Sequence, residues 1–159
     1  MRNVGLSETL YRNPGEVSTE VRRLAYSDLP AVISIERRSF PAPWSLAMFV
    51  LELSKPSGIC LAATADGELL GYLVCSRYDR VWHLMNVAVA PERRRRGVAR
   101  RLISRLTEEG GGGLPFTLEV RVSNREAIAM YERLGFRQAG VRPRYYQDNG
   151  EDALIMWLD

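Results

Sequence analysis

"PERRRRGVARRLI", residues 91–103, sets four consecutive arginines and a glycine against the start of a run whose apolar positions Val98, Leu102 and Leu106 recur on one helix face. The preceding "HLMNVAVA" (83–90) is apolar enough for a buried strand, so the stretch marks a strand-to-helix junction. Gly97 falls where the first helical amides come free. A helix N-terminus carries about half a positive elementary charge and unpaired N–H donors, so with flanking arginines it suits a pyrophosphate. A solvated charge run before an ordinary helix is the plain alternative. A nucleic-acid patch is the third, but no aromatic residue interleaves with these arginines.

Downstream come a Gly110 to Gly113 loop, a strand "FTLEVRV" (116–122), a helix over 124–134 and two strands joined by "DNG" (148–150). Strand, helix, strand, helix implies a parallel pair with right-handed crossovers inside a mixed sheet. Ser123 and Glu126 have capping-box spacing for the last helix. Upstream, a short strand "EVRRLAY" (20–26) precedes a helix begun by Ser27 with Leu29, Val32 and Ile33 at helical spacing. "SFPAPWS" (39–45) interrupts it, and Ser45 caps a second short helix carrying Met48, Phe49 and Leu53. A hairpin through Asp66-Gly67 follows. A two-residue turn there places Cys60 opposite Leu73 and makes Cys75 a diagonal neighbour on the same face, roughly 7 Å away. That is too far for an unstrained disulfide, so both cysteines are expected as buried free thiols. Residues 1–19, polar and aperiodic, read as a flexible extension, and 20–159 as a single α/β domain.

The chain has 159 residues, 46% of them apolar, and a formal charge of +3 with a pI near 9.1. That excess sits mostly in the one arginine cluster, which points to a local site rather than a general polyanion coat. No run approaches the ~20 apolar residues of a membrane span, and no apolar segment of secretory type opens the chain, so a cytoplasmic protein without a membrane partner is expected. A catalytic cysteine would need a nearby base, and the only histidine, His83, begins a different strand.

In "TLEVRV" the apolar Leu118, Val120 and Val122 share one face, which puts Glu119 on the other with Thr117 and Arg121. Burial would raise the Glu119 pKa toward the range of a useful base, and a simple pairing with Arg121 is the structural alternative. Tyr131 shares a helix face with Ala127, Ile128 and Leu134, which by periodicity alone makes it a core tyrosine. "PAPWS" and "RPRYYQ" offer Trp44, Tyr145 and Tyr146 as stacking surface for a bound peptide, or as aromatics filling local gaps. Asp148, Glu151 and Asp152 are acidic groups near the hairpin tip that a basic peptide could meet.

"VAVAPERRRRGVARRLI" (87–103) resembles the acyl-coenzyme-A-binding motif of the GNAT N-acetyltransferase superfamily, Q/R-x-x-G-x-G/A, which Arg94, Gly97 and Ala99 fit. "LEVRVSNREAIAMYERLGF" (118–136) is similar to the strand and helix that follow in that superfamily. "SFPAPWS", "LEVRVSN", "AIAMYERLGF" and "RYYQDNGEDALIMWL" resemble its bacterial RimI branch of ribosomal-protein alanine N-acetyltransferases, over residues 20–158. Ala99 stands where that branch more often has glycine.

The resemblance implies a mostly antiparallel sheet with a parallel, splayed central strand pair flanked by helices. It implies transfer of acetyl from acetyl-coenzyme A to a protein N-terminal amine, that of an alanine on a small-subunit ribosomal protein, with no metal and no direct nucleic-acid contact. Glu119 would be the base, acting through water, and Tyr131 the acid that protonates the departing thiolate. Arg94, Arg95, Arg96, Gly97, Val98 and Ala99 would hold the pyrophosphate. The main chain of Val87 and Val89 and the side chain of Asn124 would meet the pantetheine arm, and Trp44, Tyr145 and Tyr146 the acceptor peptide. Oligomeric state is left open.

Physical chemistry favours an N-terminal acceptor. At pH 7.4 roughly a quarter of an α-amine is neutral, against about one in a thousand lysine side chains, so one modest base suffices. Other protein N-termini, or a small amine such as a polyamine or antibiotic, are the alternative acceptors. A non-catalytic acyl-coenzyme-A-binding module is the rival from another class, and it would need neither Glu119 nor Tyr131.

Overall fold

The computed structural model describes residues 18–159, so the expected extension lies, but for its last two residues, outside the described residues. Seven strands form one sheet: β1 (Glu20–Arg23), β2 (Ile59–Ala65), β3 (Glu68–Tyr78), β4 (Val81–Val89), β5 (Phe116–Arg121), β6 (Arg137–Arg142) and β7 (Ala153–Leu158). Their order is β1-β2-β3-β4-β5-β7-β6. Only β4 and β5 run parallel; every other neighbouring pair is antiparallel.

Helices α1 (Leu29–Ser39) and α2 (Leu46–Leu53) cover one face, where Val32, Ile35 and Phe49 pack with Cys60, Ala62, Tyr72 and Val74. Helices α3 (Val98–Glu109) and α4 (Arg125–Arg133) cover the other, where Leu102, Ile103, Leu106 and Tyr131 pack with Leu61, Leu73, Leu118 and Met156. The fold is thus α/β, with the mixed sheet between two helical layers.

Helix α3 shows how the sequence sets its own limits. Val98, Leu102 and Leu106 form its buried stripe with Ile103, each fully buried Leu or Ile contributing about 1.5–3 kcal/mol. It starts at Gly97, whose φ of +77° an L side chain adopts only with strain. It stops at Gly110, whose N–H bonds the Leu106 carbonyl at 2.8 Å. A Cβ at Gly110 would come within 2.5 Å of the Phe116 ring, so helix end and strand meet only around glycine.

Strands β4 and β5 pair only at Trp82 with Phe116 and His83 with Thr117. Just beyond, β4 carries a bulge: Cys75 faces Leu84 and Val74 faces Asn86, which leaves Met85 as the extra residue. A bulge bends its strand and raises the local twist. Past it β4 leans away from β5, and among the described residues no strand pairs with its β5 side over residues 84–89.

Three local expectations are corrected. The β2–β3 hairpin turns at Asp66 (φ +50°) and Gly67 (φ +77°) as expected, but a register shift between Ala63 and Thr64 makes Leu70 an extra residue. Cys60 therefore pairs with Val74 rather than Leu73, and Cys60 and Cys75 face opposite layers as free thiols. The cap of α4 is Asn124, whose side chain accepts from the Ala127 N–H at 3.2 Å; Ser123 instead donates its N–H to Glu151 at 2.9 Å. Residues Tyr26–Asp28 form a 3-10 turn, so α1 begins at Leu29 rather than near Ser27.

Candidate active site

The gap between β4 and β5 divides the site into two halves. On one side stands the β4 main chain around Val87 and Val89, followed by the loop Pro91 to Gly97 and the N-terminus of α3. Arg95 (φ +64°) and Gly97 (φ +77°) are both left-handed, so the loop turns sharply just before the free amides at the start of α3. A Cβ built on Gly97 would meet nothing within 4 Å, so the glycine borders open space in front of the helix N-terminus. An unpaired strand edge, an open glycine and free helical amides together suit the pantetheine and diphosphate of a coenzyme A.

The arginines divide their work. Arg93 binds Glu68 at 2.9 Å, and Arg94 donates to the Val89 carbonyl at 3.0 Å and to Ser39 at 3.1 Å. These two brace the loop. Arg95 and Arg96 stay exposed, with Arg95 3.5 Å from Glu126. Asn124 lies at the start of the neighbouring α4, its oxygen engaged as the cap.

On the α1/α2 side, Glu119 projects from β5 with its side chain only 9% exposed. His83 Nε2 lies 2.6 Å from one of its oxygens, and Arg142 Nε donates to the other at 3.2 Å. Facing an ionised carboxylate, that histidine nitrogen carries the proton. Burial alone would push the Glu119 carboxyl up; the hydrogen bond and charge of His83, and then the Arg142 charge, outweigh it, and its pKa lies below the ordinary value. The raised pKa and the Arg121 partner expected from sequence are both overturned. Arg121 instead binds Asp148 at 2.8 Å and Glu151 at 3.3 Å and lies 4.0 Å over the Tyr146 ring. The acidic groups of the β6–β7 loop are therefore engaged within the protein, Asp152 included, which accepts from the Arg144 N–H at 2.9 Å.

Tyr131 is 5% exposed in the other layer, against Phe136, and burial holds its phenol protonated well above the physiological range. Tyr146 is the aromatic that joins the halves, since it interacts electrostatically with both Tyr131 and Glu119. Tyr145 stands edge-on to Tyr146, with centroids 5.1 Å apart. Trp44, expected to share the site, packs on Phe49 at 5.2 Å. The structure thus brings Glu119, Tyr145 and Tyr146 together.

Two side chains important to this geometry were not singled out as site residues by the sequence reading. His83 was weighed only as a companion for a cysteine; strict alternation puts it on the face opposite Asn86, and only the extra residue Met85 brings the two to one face. Glu36, 1% exposed in α1, accepts from Tyr72 at 2.9 Å, from Asn86 at 2.6 Å and from the Trp44 backbone N–H. Burial raises its pKa despite those bonds. This one carboxylate ties the Trp44 loop to β4. Among the described residues no group of three or more His, Cys, Asp or Glu could hold a metal ion, and no helix is long and apolar enough to cross a membrane.

Known proteins resemble this chain in sequence and fold. The ribosomal protein bS18-alanine N-acetyltransferase of Salmonella typhimurium is 38% identical over 139 residues, 85% of this chain and 93% of that protein. The N-alpha-acetyltransferase RimI of Mycobacterium tuberculosis is 37% identical over 121 residues, 74% of this chain and 76% of that protein. The crystal structure of the Escherichia coli ribosomal-protein-S18-alanine N-acetyltransferase superposes with a TM-score of 0.82 at 35% identity, over 89% of this chain and 93% of that one. Residues 29–136, more than half of the chain, match the acetyltransferase (GNAT) family, and with the parallel, splayed β4–β5 pair this establishes that the chain belongs to it.

Proposed function

We propose that this chain transfers the acetyl group of acetyl-coenzyme A to the N-terminal α-amine of a protein, its acceptor being the N-terminal alanine of a small-subunit ribosomal protein. The observation that carries the reading is Glu119, ionised and held by His83 and Arg142 in the cleft where the strands part. The names of the Salmonella and Escherichia coli relatives support the acceptor.

Acetyl-coenzyme A supplies an activated acyl thioester when bound. The β4 main chain at Val87 and Val89 and the Asn124 side-chain amide would align its pantetheine arm. The amides of residues 94–99, with Arg95 and Arg96, would hold the diphosphate. Trp44, Tyr145 and Tyr146 would seat the first residues of the acceptor. Glu119 takes the proton of the incoming amine, directly or through one water, while His83 fixes which carboxylate oxygen faces it. An α-amine, with a pKa near 7.7–8.0, is already neutral in part at pH 7.4, so a carboxylate whose own pKa is low need only take the proton released as the amine attacks. Tyr131, kept protonated by burial, gives its proton to the departing sulfur. Such an acceptor places the work in the cytoplasm.

Mass spectrometry of peptides incubated with the protein and acetyl-coenzyme A tests this. An Ala-initiated peptide with an internal lysine should gain a single acetyl group, on its α-amine. Acetylation of the lysine alone, or of a polyamine in preference to any peptide, would overturn the reading.

A further inference from the structure

We propose that Arg142 selects the protonation state of the acceptor: its guanidinium offsets the Glu119 carboxylate, so that the cleft receives a neutral amine and disfavours an ammonium ion, a lysine side chain included. The inference rests on the reading that Glu119 faces the acceptor amine, and it assigns a specificity role to a residue outside the acid–base pair.

The placement follows from the sheet. Arg142 on β6 and Arg121 on β5 both lie opposite Ala153 of the intervening β7, on the face that carries Glu119. Ala153 is too small to separate the long side chains in its row. Arg142 reaches diagonally across it to Glu119, Nε to oxygen 3.2 Å, and remains 55% exposed while the carboxylate it covers is 9% exposed. The other groups facing this carboxylate are His83 from β4, which binds its second oxygen, and Tyr145 and Tyr146 from the β6–β7 loop. Arg121, the remaining nearby cation, is matched by Asp148 and Glu151. Arg142 is therefore the fixed cation beside Glu119.

The balance matters chemically. A buried carboxylate without a cationic partner attracts an ammonium and raises its pKa, which stabilises the form of the acceptor that cannot attack. With a guanidinium alongside, the region offers a proton acceptor without a net negative charge. An α-amine, neutral in good part near pH 7.4, then competes well against lysine side chains, which are nearly all charged.

The experiment compares two ligands by calorimetry in the wild type, Arg142→Met and Arg142→Lys. One is an Ala-initiated peptide with its α-nitrogen trimethylated, a permanent cation; the other is the same peptide N-acetylated and neutral. Arg142→Met should bind the cationic peptide at least fivefold more tightly than the wild type does, with the neutral peptide within twofold. Arg142→Lys, which keeps the charge, should behave like the wild type for both. The acid limb of kcat for the unmodified peptide should also move to higher pH in Arg142→Met. An unchanged ratio of the two affinities, or a parallel change in both, would overturn the role of Arg142 and leave the proposed function standing. Failure of the wild type to bind either peptide or to acetylate the unmodified one would remove both.

Discussion

Gly97 offers a way to separate backbone strain from ligand contact, because the molecule contains a matched glycine elsewhere. Gly97 has φ +77° and Gly112, in the loop between α3 and β5, has φ +78°; a Cβ at either meets nothing within 4 Å. Replacing either by alanine should cost the left-handed penalty of about 1–2 kcal/mol, with no clash to add. At this chain length each kcal/mol lowers Tm by about 2–4 °C, so both variants should melt roughly 2–8 °C below the wild type. Only one of them should lose coenzyme. The Cβ of Gly97→Ala enters the space in front of the α3 N-terminus, where amides would approach a phosphate, and acetyl-coenzyme A affinity should fall at least tenfold, about 1.4 kcal/mol. Gly112→Ala should bind as the wild type does. Thermal melts and calorimetry on the two variants measure both quantities. Equal coenzyme affinities in Gly97→Ala and Gly112→Ala would refute the phosphate cradle.

Glu36→Gln should raise the KM for an acceptor peptide several-fold and leave acetyl-coenzyme A affinity within twofold, because Glu36 holds the Trp44 loop; steady-state kinetics in both substrates reads the split. Glu36→Ala leaves buried Tyr72 and Asn86 without their acceptor and should cost about 2–5 kcal/mol in urea unfolding. The Glu119 carboxyl titrates lower in the folded chain than in the unfolded one, so its contribution is complete above the unfolded pKa of about 4.3 and is lost as pH falls through the folded value. The stability difference between the wild type and Glu119→Gln should accordingly shrink in acid, and urea melts between pH 6 and pH 3 showing a growing difference would contradict the sign. Burial pushes the Cys60 thiol up to about 11 and Cys75 higher still, so thiol reagents at pH 8 should label neither in the folded protein and both in denaturant, with no disulfide at any stage.

Much of this architecture was legible because local chemistry repeats at the right period. The α3 stripe, Gly97 and the alternation from Thr117 to Arg121 all act through nearest neighbours, and each lies where the pattern put it; Val122 falls past the end of β5 and is exposed. What escaped were features created by one extra residue or by distant strands. The extra residue at Leu70 shifts the β2–β3 pairing by one, and no turn rule for Asp66-Gly67 announces it. Glu119 finds His83 36 positions away because β4 and β5 run parallel, and Arg142 23 positions away through β6 and β7. Sequence proximity suggested Arg121 instead. Its preference for Asp148 and Glu151 follows from a loop conformation that composition does not encode. Ser123 and Glu126 matched the capping box, yet Asn124 one position later is an equally good cap, and the Ser123 N–H is taken by Glu151.

Turnover of an Ala-initiated peptide by the wild type, Glu119→Gln and Tyr131→Phe, with acetyl-coenzyme A affinity measured on the same preparations, tests the account most directly. If Glu119 accepts the amine proton and Tyr131 supplies one to the sulfur, each substitution should lower kcat by roughly 10²- to 10⁴-fold while coenzyme affinity changes less than threefold. The acid limb should change in Glu119→Gln and persist in Tyr131→Phe. Near-normal turnover in both variants, or a wild type that binds acetyl-coenzyme A and acetylates no N-terminal peptide, would contradict it.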